Sequence, residues 1–411
     1  MQRNTFRTGI NPVGTNIITG NAKVVRTINR GMILNIIREM QPISRINIAR
    51  LTGLNKSTVS SIISNLLEED LIIEQVSEGQ SVGRSPLNLY LKLGKFYVGS
   101  FNIDSAVTRM AIADLDGSIK GTSSIDTDPK DPRKFVRRCV SELRSLCKNL
   151  GIQHLEGLGV SIGGIVDSKN LIVNFAPNLG WEDFNIGETI RESMPELKNI
   201  SVGNDAKASA LAELWFGSHD VDLSNFVFLS IGPGIGSGIV VQNRLLDGEY
   251  QASGEFGHMV IYEGGEHCTC GNNGCWEAYA SDKATVSRYI KKKYPDAKDG
   301  VPLSIQDIVA LSKKDDSDAV EILKQTGYYL GLGISNIIKA IDPHVIIIGG
   351  RITQVWELIY PEIMTVVTKR AYFGRKKSIK ILPTSLNVLP RLLGAATLAI
   401  QEIFNGYKIT D

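Results

Sequence analysis

Between residues 21 and 67, apolar side chains return at helical spacing in three successive stretches. Val24, Val25, Ile28, Met32, Ile33, Ile36 and Ile37 form the first stripe and predict an amphipathic helix. Pro42 interrupts the pattern, and Ser44 is placed to cap a short second helix running to Leu51. Thr52, Gly53 and Leu54 predict a turn, and Asn55 is placed to cap a third helix. That helix carries Val59, Ile62, Ile63, Leu66 and Leu67 on one face and Lys56, Ser57, Thr58, Ser60, Ser61 and Ser64 on the other. Two strand-like runs, 71–74 and 87–90, flank a glycine-bearing loop tipped by Arg84. Helix, helix-turn-helix and a two-stranded wing predict a winged helix-turn-helix over residues 21–90, after an aperiodic, flexible arm over 1–20.

Beyond residue 95 the pattern changes to strands alternating with helices. Residues 96–103 and 108–113 read as paired strands, Asp114, Leu115, Asp116 and Gly117 as a hairpin turn, 132–149 as a helix and 157–162 as a buried strand. A similar order resumes at 225–230 and 238–241 and ends in the apolar run 345–350. Two such units predict an α/β fold of two lobes with a ligand cleft, one lobe over 95–205 and the other over 206–393. A C-terminal helix over 394–411 is expected to complete the first lobe.

Charge and cysteine usage narrow the picture. The net charge of +2 is uninformative, yet the first 60 residues carry Arg3, Arg7, Lys23, Arg26, Arg30, Arg38, Arg45, Arg50 and Lys56 against Glu39 alone. A basic head on a balanced body points to nucleic-acid contact at one end. Short hydroxyl and amine side chains, as on the third helix, suit a helix lying in a major groove. Ser44, Asn55, Lys56, Ser57, Thr58, Ser60, Ser61 and Arg84 are therefore the expected DNA contacts. No apolar run approaches the roughly 18 residues of a membrane span, and no signal peptide is evident, so a reducing cytoplasm is the expected compartment.

Three of the five cysteines crowd into one stretch with a histidine: His258, Cys268, Cys270 and Cys275. Imidazole and thiolate are the ligands of a tetrahedral Zn²⁺ site, and four of them close its shell, which predicts a structural zinc. Gly271 and Gly274 allow the turn that returns Cys275 to Cys270. Glu255 and Glu277 bracket the cluster without being needed as ligands.

The motif Gly257-His258, nine residues, Cys268-Thr269-Cys270-Gly271, two residues, Gly274-Cys275-Trp276-Glu277 fits the zinc signature of the ROK family at every fixed position. The chain resembles this family of bacterial sugar kinases and repressors over nearly its whole length, head included. The resemblance implies the actin-like, sugar-kinase fold. Within the family, an N-terminal winged helix-turn-helix is the arrangement of sugar-responsive repressors such as those for xylose and N-acetylglucosamine. It further implies that Asn204 and Asp205 bond sugar hydroxyls, with Asp205 at the position of the kinases' base. Glu255, His258 and Glu277 match the remaining sugar contacts, and Asn178 lies in another segment near the sugar.

The kinases of the family carry DxGGT after the opening strand and GTGxGxG in a second turn. Here the first reads Asn102-Ile103-Asp104-Ser105-Ala106-Val107-Thr108, without the paired glycines and with Asn102 for the acid. In the second, Gly232-Pro233-Gly234-Ile235-Gly236-Ser237-Gly238, Pro233 removes a hydroxyl and a backbone N–H. A Gly-Pro-Gly of the first lobe is altered to Ile162-Gly163-Gly164. Asp205 is thus expected to be a vestigial base, and the chain a repressor of carbohydrate-utilisation genes rather than an enzyme. A homodimer would grip a palindromic, A/T-rich operator, released when a sugar binds between the lobes. The alternatives are a working sugar kinase with a DNA-binding head, and a regulator controlled by a protein partner.

Overall fold

A computed structural model describes residues 22–76, 87–296, 301–370, 379–386 and 389–405. The chain divides into two compact units. The first runs to Phe216 and resumes at Arg391; the second is Gly217–Pro390. The crossings fall later than 205 and earlier than 394, for two physical reasons. Asp205 begins a helix whose residues Ala206 to Trp215 are all buried, and the final helix starts at Pro390, where a proline without an N–H suits a helix's first turn.

The head opens the first unit. Helix α1 (Ala22–Met40) is followed by strand β1 (Ile43–Ser44), α2 (Arg45–Thr52), α3 (Lys56–Glu68), β2 (Ile72–Val76) and β3 (Leu87–Leu91). Ser44 Oγ accepts from the Asn47 N–H and Asn55 Oδ1 from the Thr58 N–H, so both expected caps form. Gly53, at φ +70, ends α2 in the left-handed conformation. Ile33, Ile37, Ile48, Val59, Ile62, Ile63, Leu66 and Leu89 are buried and make the head's core. The strands pair antiparallel in the order β1-β3-β2. Residues 77–86 between β2 and β3, with Arg84, lie outside the described residues.

The rest of the first unit holds β4 (Tyr97–Ile103), β5 (Val107–Asp114), β6 (Ile119–Asp126), α4 (Pro132–Asn149) and β7 (Gly157–Ile162). It continues with β8 (Ile165–Asp167), β9 (Ile172–Ala176), β10 (Trp181–Asn185), α5 (Ile186–Ser193), β11 (Asn199–Asn204) and α6 (Asp205–Phe216). The main sheet has the order β11-β7-β4-β5-β6, parallel from β11 to β4 and antiparallel beyond. The small sheet β10-β9-β8 was not foreseen, because 165–185 mixes exposed and buried positions without a sustained period of two.

The second unit repeats the scheme. It contains β12 (Phe226–Ile231), β13 (Ile235–Val241), β14 (Arg244–Leu245), α7 (Glu277–Ala280), α8 (Asp282–Lys293) and α9 (Ile305–Ser312). Helix α10 (Ser317–Ile341), β15 (Val345–Gly349), α11 (Trp356–Arg370) and β16 (Lys380–Pro383) follow. Its sheet, β14-β13-β12-β15-β16, has antiparallel and parallel pairs in the same positions as the first. Helix α12 (Pro390–Asn405) returns the chain to the first unit. The core of each unit is apolar: Phe101, Leu158 and Val160 in one, Val227, Ile346 and Ile348 in the other. Among the described residues, no helix is long and apolar enough to cross a membrane.

Candidate functional site

In the second unit the chain from Gly254 to Glu277 brings His258, Cys268, Cys270 and Cys275 together. Their ligand atoms all lie within 4.8 Å of one another. Cys270 Sγ is 3.7 Å from Cys275 Sγ, and Cys268 Sγ is 3.6 Å from His258 Nδ1. With Zn–S bonds of about 2.3 Å, a tetrahedral edge is about 3.8 Å, so both separations are those of ligands sharing one metal. They are far longer than a disulfide's S–S bond of about 2 Å. Burial raises the Cys268 and Cys275 thiols, whereas the Asn272 backbone N–H lowers Cys270. A divalent cation would offset the cost of gathering thiolates in a buried corner.

The backbone explains how the cluster closes. Gly271 turns the chain at φ +92 and Gly274 at φ +79, and a Cβ on Gly274 would stand 1.6 Å from the Tyr262 carbonyl oxygen. The Cys268 N–H donates to the Asn272 carbonyl at 2.8 Å, closing the loop that carries Cys268 and Cys270. Trp276, fully buried, donates its indole N–H to the Tyr329 carbonyl at 2.8 Å and so fastens the loop to α10.

Both flanking acids stand beside His258. Its Nδ1 faces the sulfurs, while Nε2 lies 3.9 Å from Glu255 Oε2. Glu277 Oε1 is 3.3 Å from Cys268 Sγ, and its Oε2 accepts from the Ile235 N–H at 3.2 Å. Glu277 therefore joins the metal loop to the glycine turn after β12. The side chains of Glu255 and His258 are 46% and 38% exposed.

In the first unit, a second polar cluster lies at the carboxyl ends of the parallel strands β4, β7 and β11, the edge where open α/β sheets hold ligands. Asn204 closes β11 and caps α6. Its Oδ1 accepts from the Ala206 and Lys207 N–H groups, and its Nδ2 donates to the Gly164 carbonyl. One N–H of the amide is left over by that arrangement. Asp205, the first residue of α6, lies beside Gly163, its carboxylate oxygens about 3.8 Å from where a Cβ would stand. Asn102 is buried and donates to Ser161 Oγ at 3.1 Å. Asn178 is exposed on the turn between β9 and β10.

Sequence reasoning missed Arg391. Its Nε lies 3.2 Å from Asp205 Oδ2 and its Nη1 3.6 Å from Asp104 Oδ2, so one guanidinium bridges both carboxylates. The Arg391 carbonyl accepts from Ser161 Oγ at 2.9 Å. Nothing in the local sequence marks this role, because α12 comes back from the far end of the chain.

On the head, Asn55, Lys56, Ser57 and Ser61 are exposed at the start of α3, while Thr58 and Ser60 are half-buried. Ser57 Oγ donates to Asn55 Oδ1 at 2.8 Å, drawing that hydroxyl into the cap. Ser44 is half-buried and its oxygen is engaged at the start of α2.

Residues 100–402 match the ROK family model. The xylose repressor of Bacillus spizizenii is 32% identical over 392 residues, covering 94% of this chain and 98% of that protein. Among solved structures, a ROK family transcriptional regulator that is a homologue of the E. coli MLC protein superposes with a TM-score of 0.81 at 28% identity, covering 93% of this chain and 97% of its own. A ROK family glucokinase from Streptomyces griseus, solved with glucose and AMPPNP, gives a TM-score of 0.64 at 25% identity and covers 74% of this chain and 100% of its own.

Proposed function

The chain belongs to the ROK family, and from that membership we propose that it is a sugar-responsive, DNA-binding transcriptional regulator, a repressor whose operator affinity falls when a sugar binds its body. The head carries this reading. The family model begins at residue 100, and before it stands a helix-turn-helix with a capped α3 whose exposed start is cationic and hydroxyl-bearing. The glucokinase covers only 74% of the chain, whereas the regulator covers 93%.

Asn204, Asp205, Glu255, His258 and Glu277 are the proposed sugar contacts, with Asn178 at the margin. Carboxylates and amides match vicinal hydroxyls in both donor and acceptor sense. Zn²⁺ is the proposed occupant of the His258, Cys268, Cys270 and Cys275 cluster, where it braces His258 with Nδ1 inward and Nε2 towards the ligand. Four protein ligands leave no open position for a reacting water, so its part is structural. Two heads of a homodimer would read a palindromic, A/T-rich operator, with Lys56, Ser57, Thr58, Ser60 and Ser61 towards the major groove. Arg84 would enter an adjacent minor groove. Phosphoryl transfer is not part of the proposal, because Pro233 and Asn102 replace groups that the kinase turns use.

Calorimetry with D-xylose, D-glucose and N-acetyl-D-glucosamine tests the reading, together with anisotropy on a duplex selected by the full-length protein from a random pool. The expected result is binding of at least one sugar and weaker DNA binding in its presence, without sugar phosphate formed from ATP. Turnover at ordinary enzymatic rates would make the protein a kinase; sugar-independent DNA binding with no sugar bound would favour control by a protein partner.

A further inference from the structure

We propose that Arg391 is a positioning residue through which a sugar at Asp205 acts on the head, along helices α6 and α12; this rests on the sugar-sensing reading above. Both helices begin at the ligand-facing edge of the first unit, α6 with Asp205 and α12 with Pro390 and Arg391. Both end against α1. The 12 residues of α6 and 16 of α12 span about 18 and 24 Å at 1.5 Å per residue.

Near their starts the two helices touch backbone to backbone: a Cβ on Gly394 would lie 2.4 Å from the Ala208 carbonyl carbon. At their ends the rings of Trp215 and Phe404 meet edge to face, with centroids 5.4 Å apart. Arg38 of α1 closes the arrangement. Its guanidinium lies 4.0 Å from the Trp215 ring centroid and 5.9 Å from that of Phe404, and Nη1 donates to the Trp215 carbonyl at 3.0 Å. A cation on the last carbonyls of α6 is favoured by the helix dipole as well as by the ring. At 7% exposure the Arg38 side chain is anchored in the unit. Further along α1, Gly31 lies against the Phe404 carbonyl, and Arg30 pairs with Glu69 at the end of α3. The path thus runs from Asp205 to the helix proposed to lie in the groove.

A sugar hydroxyl bonding Asp205 competes with Arg391 for the same oxygen. Releasing that pair frees the start of α12 from the start of α6, and a close-packed pair of helices passes the shift to its other end rather than absorbing it. Asp104 keeps the guanidinium from being stranded when Asp205 lets go.

The test uses the full-length chain with D-xylose, D-glucose and N-acetyl-D-glucosamine as probes. Calorimetry gives the sugar Kd, hydrogen exchange reads α1, and anisotropy gives the operator Kd with and without sugar. In the wild type a binding sugar should shift exchange in α1 and weaken operator binding about 5- to 150-fold, the usual range of coupling between sites. Arg391→Gln should still bind the sugar, with a changed Kd, but its operator Kd should change less than twofold on sugar addition and its α1 exchange should not respond. Arg391→Lys, which keeps a cation, should restore part of the coupling. Arg38→Met should leave the sugar Kd within twofold of wild type and lose the coupling, which a merely structural role for Arg391 would not produce. Should Arg391→Gln fail to fold, Arg391→Lys and Arg38→Met decide. Wild-type coupling in both would overturn the proposal while leaving sugar sensing intact. If no sugar binds the wild type, the sugar-sensing reading falls and this one with it.

Discussion

Asn55 offers a clean test of how α3 is built and what it faces. Its Oδ1 accepts from the Thr58 N–H at 2.7 Å and from Ser57 Oγ at 2.8 Å, on an exposed surface. Asn55→Ala removes an N-cap, which costs about 1 kcal/mol within a range of roughly 0.5–2. Because about 1.4 kcal/mol is a factor of ten, the amides of the first turn of α3 should exchange about fivefold faster. Asn55→Asp keeps a capping oxygen of equal rank and adds a negative charge at the positive end of the helix, so protection should stay within about twofold of wild type. DNA binding should behave oppositely. A carboxylate at the start of a helix pointed at phosphates opposes them, and a loss of roughly 0.3–1 kcal/mol per head, about three- to thirtyfold for a dimer, is expected at low salt. Hydrogen exchange and anisotropy on the same preparations measure the two effects. If Asn55→Asp is as protected as wild type and binds duplex equally well, the start of α3 does not face the backbone of DNA. If Asn55→Ala exchanges no faster, the cap contributes nothing.

The other predictions concern the metal loop and the head's junction with the body. One zinc per chain should be found by elemental analysis, and a chelator should release it with the appearance of reactive thiols. Cys270 is the exposed member and should react first, whereas Cys139, buried on α4 with its thiol pushed up to about 12, should stay silent until the chain unfolds. Asp70 accepts from Lys92 and Lys95, which hold its carboxyl down at about 2. A depressed carboxylate stabilises the fold above its unfolded value of about 3.9, and that contribution is lost as pH falls towards 2. Asp70→Asn should therefore lower stability at neutral pH and narrow its difference from wild type between about pH 4 and 2. A difference that does not change with pH would count against the ion pairs.

How far the sequence reaches depends on how local the physics is. The caps at Ser44 and Asn55, the left-handed turn at Gly53 and the buried stripe from Val59 to Leu66 are set by neighbours within a turn or two, and all form as their spacing predicts. The duplicated strand order was legible because β4 and β12 are apolar runs bounded by turn residues. The His258 and cysteine cluster was legible because ligands and turning glycines share one short stretch. Asn204 shows the limit of a motif: its residue type suits a sugar, yet its oxygen is spent on capping α6 and one N–H on the Gly164 carbonyl. Arg391 and Arg38 were illegible for a different reason. Each acts on a residue far away in the chain, and an arginine near a helix end carries no local sign of the partner it will meet.

The repeated topology also bears on the proposal that phosphoryl transfer is absent. The turn after β4 and the turn after β12 occupy equivalent places in the two sheets. In the first, Asn102 is drawn into a buried bond with Ser161, and Asp104 shares Arg391 with Asp205. In the second, Pro233 offers no N–H, and the Ile235 N–H is taken by Glu277. Restoring the residue types of the kinase turns by Asn102→Asp with Pro233→Thr should therefore yield no sugar phosphate in an ATP-coupled assay. The first turn would still lack its paired glycines, and Glu277 would still hold the Ile235 N–H. Turnover in the double variant would mean that the two replaced side chains are all that separates these turns from working phosphate sites.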